Sequence, residues 1–176
     1  MGSGRKIKLE VFKTENKGWG LRSPERIKCG TFVSLYLGEV LTNEEAERRN
    51  DDAMKMGLSY LFDLDAHIVI PADQDELSIG MDNDCDTYAV DGRDCGTVSR
   101  FINHSCSPNL RSVAVVSGRR DMKVYDLALF TQRTVQPWEE LTFSYSHGTS
   151  PPTLDDTVKK WPCYCEAEGC RKWLFN

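Results

Sequence analysis

The chain has 176 residues, 40% of them hydrophobic, and a net charge of -5; this suits one domain, or one domain with a small appendage, that buries a real core. No run of 18 apolar residues occurs and no charged stretch precedes an apolar block, so neither a membrane span nor a secretory signal is read and the chain is expected to be intracellular. The negative charge disfavours direct DNA binding, which needs a basic face to neutralise phosphates, and suits a cationic partner instead.

Met1 to Gly4 reads as a leader outside the fold. From Ile7 to Tyr145 the chain is a series of short β-like runs broken by Gly, Asn and Asp, with one helical signal, so the fold class is mostly β. Strands are expected at Leu9 to Phe12, Trp19 to Arg22 and Phe32 to Val40. The helix begins at Thr42, whose side chain caps free backbone N–H groups while Glu45 completes a capping box, and it ends near Asn50. Further strands are expected at Tyr60 to Leu64, Leu110 to Val116, Val124 to Phe130 and Leu141 to Tyr145, with Gly118 in a hairpin turn and Pro137 ending another. Ala66 to Thr87, with six acidic residues, and His147 to Lys160, rich in Ser, Thr, Pro and Asp, read as loops.

Seven cysteines, an odd number with no secretory signal, argue against a disulfide framework. Cys163, Cys165 and Cys170 fall within eight residues, and a tight knuckle containing Gly169 turns three thiolates inward as tetrahedral zinc requires. A structural zinc wants a fourth ligand. Spacing alone leaves Cys29, Cys85, Cys95 and Cys106 open for it, and a ligand far back in the chain makes metal binding part of the folding free energy.

Arg100-Phe-Ile-Asn-His-Ser-Cys106-Ser-Pro-Asn109, Glu140-Leu-Thr-Phe-Ser-Tyr145, Lys17-Gly-Trp-Gly20 and the terminal cysteines occur in an order that resembles the SET-domain lysine methyltransferases. Tyr36-Leu-Gly-Glu39, Tyr60-Leu-Phe-Asp-Leu-Asp65 and Cys170-Arg-Lys-Trp-Leu-Phe175 make the resemblance strongest to the Su(var)3-9 type. The resemblance implies a SET fold of small β-sheets with a short helical insert and a C-terminal pseudoknot. It divides the chain into a SET domain (7–147), a linker loop (148–161) and a post-SET zinc knuckle (162–176). It also implies S-adenosylmethionine as methyl donor and Lys17, Gly18, Trp19, Tyr60, Asn103, His104 and Tyr164 as the residues around it, Tyr164 by the adenine. Cys106 becomes the fourth ligand of a structural zinc, beside Cys163, Cys165 and Cys170. The implied substrate is a histone tail, most closely the ninth lysine of histone H3, bound as an added strand, free or on the nucleosome, by a monomer acting on chromatin in the nucleus.

Methyl transfer to lysine is an in-line displacement, so the enzyme supplies alignment and electrostatics and no nucleophile of its own. With a reference lysine pKa of about 10.4, only about one amine in a thousand or fewer is neutral at pH 7, and a narrow apolar channel favours that form. Tyr60, Phe143 and Tyr145 supply aromatic walls whose π faces also stabilise the ammonium that forms. Tyr145 is the expected essential residue, its hydroxyl orienting the amine and the methyl group. Phe143, where related enzymes carry Phe or Tyr, leaves room for di- or trimethyl product.

Two residues depart from the family pattern: Ser144 replaces an acidic residue and Lys172 a glycine. The cysteine-rich pre-SET segment of Su(var)3-9 enzymes is not found in the sequence. Lys159 and Lys160, beside the cluster in sequence, are candidates for self-methylation. Two other classes compete: a catalytically silent SET-like module that binds peptides or partners, and a Cys-His enzyme using Cys106 as nucleophile, which the ligand role of Cys106 disfavours.

Overall fold

The computed structural model describes residues 7–56, 60–64, 88–116, 124–145 and 161–174. The expected acidic loop from Ala66 to Thr87, the turn at Gly118, the loop from His147 to Lys160 and both of its lysines lie outside these residues. Ten strands, one α-helix and one 3-10 helix make up the described architecture, which is mostly β as expected. The chain forms two compact units, one of Met1–Tyr36, Thr97–Val113 and Ala128–Asn176, the other of Leu37–Gly96 and Ala114–Leu127.

In the first unit, β1 (Glu10–Lys13) and β2 (Trp19–Arg22) form an antiparallel hairpin, Glu10 opposite Arg22 and Lys13 opposite Trp19. Thr14 closes its turn: its hydroxyl donates to the Gly18 carbonyl at 3.0 Å and accepts from the Lys17 N–H at 3.0 Å. β10 (Glu140–Phe143) lies antiparallel to β2, with Leu141 opposite Leu21. Its other edge takes a two-residue strand, β7 (Asn103–His104), in parallel, pairing Thr142 with Asn103 and Phe143 with His104. The two motif segments of the sequence, nearly forty residues apart, are thus hydrogen-bonded neighbours. Asn109, 1% exposed, locks them together: its amide donates to Glu139 Oε1 (2.9 Å) and the Glu140 carbonyl (2.8 Å), and its oxygen accepts from Thr142 N (2.9 Å). Such a buried amide costs little because three of its bonds are satisfied. Leu21, Ile102, Leu141 and Phe143 are buried alongside. The short 3-10 helix Val98–Phe101 precedes β7; at its start the Thr97 and Ser99 hydroxyls both donate to the Leu35 carbonyl, at 2.7 and 2.9 Å.

A second sheet has the order β3 (Phe32–Tyr36), β9 (Asp126–Thr131), β8 (Leu110–Val115). The other unit contains the antiparallel sheet β4 (Glu39–Thr42), β6 (Tyr88–Asp91), β5 (Leu61–Asp63) and α1 (Asn43–Met56). Leu41, Ala46 and Ala89 bury a small core there with Leu61 against it. Arg49 on α1 binds Glu45 (2.7 Å), Glu39 (2.8 Å) and the buried Asp91 (3.1 Å), so a single guanidinium fastens helix to sheet.

Three expectations need correction. The apolar run from Phe32 to Val40 is two strands in different sheets, split where Gly38 passes so close to the Asp91 carbonyl that a Cβ would collide with it. The helix runs six residues past Asn50, because 43–56 contains no Gly or Pro and is rich in Glu, Ala, Arg and Met. Thr42 reaches the Glu45 N–H at 3.5 Å, while the Glu45 carboxylate turns to Arg48 and Arg49. Finally, β6 and β7 occupy segments for which no strand is expected.

Candidate methyltransferase site and metal centre

The four thiols of Cys106, Cys163, Cys165 and Cys170 lie within 4.8 Å of one another, Cys106 Sγ being 3.9 Å from Cys163 Sγ and 4.0 Å from Cys170 Sγ. A tetrahedral zinc with bonds of about 2.3 Å requires sulfur separations of about 3.8 Å, so the cluster has the right size and the right donors. Backbone N–H groups of Cys106, Arg171 and Lys172 point at Cys165, Cys106 and Cys170 Sγ, each at 3.4 Å, as thiolate acceptors favour. Burial pushes the Cys163 thiol up, with the neighbouring thiols adding to it; at Cys165 burial also works upward, but N–H donors from Cys106 and Ala167 bring it down to about 6. Four thiols so close cannot all ionise without a counter-charge, and a divalent cation supplies it. Gly169 sits at φ 77, in the left-handed conformation the knuckle needs. Lys172 adopts φ 70, the same region, at the position where the family pattern has glycine. Cys29 and Cys95, the other described candidates for the fourth ligand, are exposed and outside the cluster.

Beside the cluster, β7 presents Asn103 and His104. Asn103 Nδ2 donates to the Trp19 carbonyl (3.0 Å) and to Glu140 Oε1 (2.9 Å), which fixes its amide and leaves Oδ1 as the acceptor. The second oxygen of Glu140 receives Lys17 Nζ at 2.6 Å, both side chains being about one-fifth exposed. Lys17 and Asn103 are therefore held by one carboxylate for which sequence reasoning found no role, and Asn103 links it to the Trp19 backbone. An acid at the head of an apolar strand is the only signal it offers. Trp19 and Tyr164 leave 54% and 53% of their surfaces open. Lys13 sits 5.3 Å from the Trp19 ring.

His104 is 3% exposed; burial, with the charges of Arg171 and Lys17, lowers its ring to about 4, so it is neutral at physiological pH. Tyr145, just past β10, donates its backbone N–H to His104 Nδ1 (3.0 Å) and its hydroxyl to the Ile102 carbonyl (2.9 Å). Its ring meets the rings of Phe143 at 4.9 Å and His104 at 5.4 Å. Phe143 is 3% exposed. Tyr60 belongs to the other unit, where its carbonyl accepts from Gly92 N at 3.1 Å.

The family model described as "SET domain" matches residues 18–146. The histone-lysine N-methyltransferase, H3 lysine-9 specific, of Schizosaccharomyces pombe is 40% identical over 98% of the chain. The chain spans 34% of that relative's length, and 12% and 50% of two other curated relatives. Among solved structures, the Neurospora SET domain protein DIM-5, a histone lysine methyltransferase, matches 85% of the chain and 56% of its own at 39% identity and a TM-score of 0.66. KRYPTONITE in complex with mCHH DNA, H3(1-15) peptide and SAH matches 97% of the chain and 30% of its own at 31% identity and a TM-score of 0.72. With the motif segments paired in one sheet and four thiols gathered beside them, the chain belongs to the SET-domain family, with strong homology to methyltransferases of the Su(var)3-9 type.

Proposed function

We propose that this chain transfers methyl groups from S-adenosylmethionine to a lysine of a histone tail, the ninth lysine of histone H3, in the nucleus on chromatin. The observation that carries the reading is the convergence of Lys17 and Asn103 on Glu140, with Asn103 also holding the Trp19 carbonyl, beside the fixed Tyr145. Its chemistry suits the donor: Asn103 Oδ1 is an acceptor for the ammonium of a methionyl group, and the open faces of Trp19 and Tyr164 are surfaces on which an adenine stacks. S-adenosylmethionine supplies an activated methyl on sulfur. Gly18 and His104 contribute through the backbone of the same turn and strand.

Phe143 and Tyr145 act on the acceptor amine. Their rings form an apolar wall that favours the neutral amine before transfer, and their π faces stabilise the cation after it. The Tyr145 hydroxyl gives its proton to the Ile102 carbonyl, so it meets the amine through its oxygen and orients rather than deprotonates it. Tyr60 is in the other unit, and its part in the site rests on the resemblance alone. Phe143, without a hydroxyl to hold a water, supports progression to the di- or trimethyl state. Zinc at the four cysteines is structural, all four positions being protein sulfur with none open for substrate. The net charge of -5 complements a basic tail.

The test is incubation of zinc-loaded protein with labelled S-adenosylmethionine and a panel of histone-tail peptides. Transfer to an H3 peptide, abolished when its ninth lysine is replaced, is expected. Cofactor binding without transfer to any peptide contradicts the reading and leaves a silent binding module.

A further inference from the structure

The ring of His104 lies between the Tyr145 backbone and the thiol cluster. A backbone N–H can only donate, so the 3.0 Å contact from Tyr145 N makes His104 Nδ1 an acceptor without a proton. In the neutral ring the proton then sits on Nε2, and Nε2 is 3.4 Å from Cys106 Sγ, inside the thiol cluster. The ring is buried, so water does not compete for either bond. Its position is set from both sides: the residue pairs with Phe143 in the parallel register, and Ser105 N donates to the Phe143 carbonyl at 3.1 Å. Tyr145 is also held by its hydroxyl, which donates to the Ile102 carbonyl at 2.9 Å.

We propose that His104 is a positioning residue that couples the metal cluster to the reacting site, donating from Nε2 to the Cys106 sulfur and holding the Tyr145 backbone at Nδ1. The inference rests on the zinc and methyl-transfer readings above and assigns the imidazole a role distinct from lining the donor site. Metal ligation makes Cys106 a thiolate, which strengthens the Nε2 bond and fixes the tautomer that Tyr145 needs. Loss of the metal releases the Cys106 sulfur from its fixed place in the cluster, weakens that bond and frees the ring, and the placement of Tyr145 loosens with it. The zinc, in this account, orders the catalytic tyrosine as well as the C-terminal segment.

Two substitutions separate the two ends of the ring. In His104→Asn the amide oxygen lies near the Nδ1 position and nothing donates at Nε2; in His104→Gln the amide nitrogen lies near Nε2 and nothing accepts at Nδ1. Zinc affinity, read by competition with a chromophoric chelator, is expected to fall about 10- to 100-fold in the Asn variant, the usual cost of losing a partner to a metal ligand. In the Gln variant it stays within about threefold of wild type, while hydrogen exchange at the Tyr145 amide accelerates. Equal losses of zinc affinity in both variants, or none in the Asn variant, overturn the proposal.

A measurement on the unaltered protein guards against misfolded variants. Removing zinc with a chelator is expected to cost the Tyr145 amide its protection while the Leu21 amide, on β2, keeps its own. Protection retained at Tyr145, or lost only together with Leu21 in global unfolding, overturns the link. Uptake of one zinc by wild type is measured first, so failure of the metal reading is distinguished from failure of the coupling.

Discussion

Removing the Glu140 carboxylate tests whether one side chain assembles the donor site. Lys17 and Glu140 meet at 2.6 Å with 20% and 22% of their side chains exposed. Exposed pairs contribute up to about 1 kcal/mol, and losing one partner of a fully buried pair costs about 3–5 kcal/mol, so at one-fifth exposure Glu140→Ala costs about 2 kcal/mol from the ion pair. Asn103 keeps the Trp19 carbonyl, so its lost bond adds roughly 0.5–1 kcal/mol. A total of about 2.5 kcal/mol, at a urea slope of about 2 kcal/mol/M, moves the denaturation midpoint down by about 1 M. Glu140→Gln keeps an acceptor for Asn103 and loses the ion pair, so its shift is smaller. With Lys17 and Asn103 loosened, S-adenosylmethionine affinity measured by calorimetry falls roughly tenfold, equivalent to about 1.4 kcal/mol. A Glu140→Ala protein that unfolds at the wild-type urea concentration and binds the donor equally well refutes the reasoning.

Other outcomes follow from the same geometry. Phe143→Tyr places a hydroxyl beside the Tyr145 ring; mass spectrometry of an H3 peptide is expected to show product stopping at the monomethyl state, and continued accumulation of trimethyl product contradicts the assigned role. Lys172→Gly relieves a left-handed residue whose cost is about 1–2 kcal/mol, offset in part by the greater chain freedom of glycine. The variant is expected to hold zinc a fewfold more tightly in chelator competition, and weaker retention counts against strain at that position.

Much of the fold was legible because it is written locally. Trp19–Arg22 was read with its observed bounds, and the Leu110 strand ends within one residue of its expected limit. Long-range contacts were not legible. The split of Phe32–Val40 depends on the Asp91 carbonyl approaching Gly38 from over fifty residues away, a contact that leaves no trace in an apolar run. β7 is two residues long and exists only because β10 offers a parallel edge, so no periodicity marks it. β6 adjoins the acidic stretch, and its four residues are too few to stand out from it.

The same division holds at the site. Three of the clustered cysteines announce themselves by their spacing, whereas Cys106 could be chosen over Cys29, Cys85 and Cys95 only through the family resemblance, because the choice depends on how the chain returns over the 57 positions that separate it from Cys163. The linking roles of Glu140, Asn109 and the His104 ring are set by partners far apart in the chain. For Glu140 these lie 123 and 37 residues away. No single-sequence pattern encodes such pairs.

The central claim is that Tyr145 completes a methyl-transfer site, and single-turnover transfer by Tyr145→Phe tests it most directly. The substitution removes one hydroxyl, whose bond to the Ile102 carbonyl contributes about 1 kcal/mol to stability, and leaves the ring contacts in place. Zinc-loaded wild type is expected to methylate an H3 tail peptide in one turnover. Tyr145→Phe should bind S-adenosylmethionine with unchanged affinity and transfer at least about a hundredfold more slowly, a barrier increase of about 2.7 kcal/mol. Transfer by the variant at the wild-type rate would contradict the account.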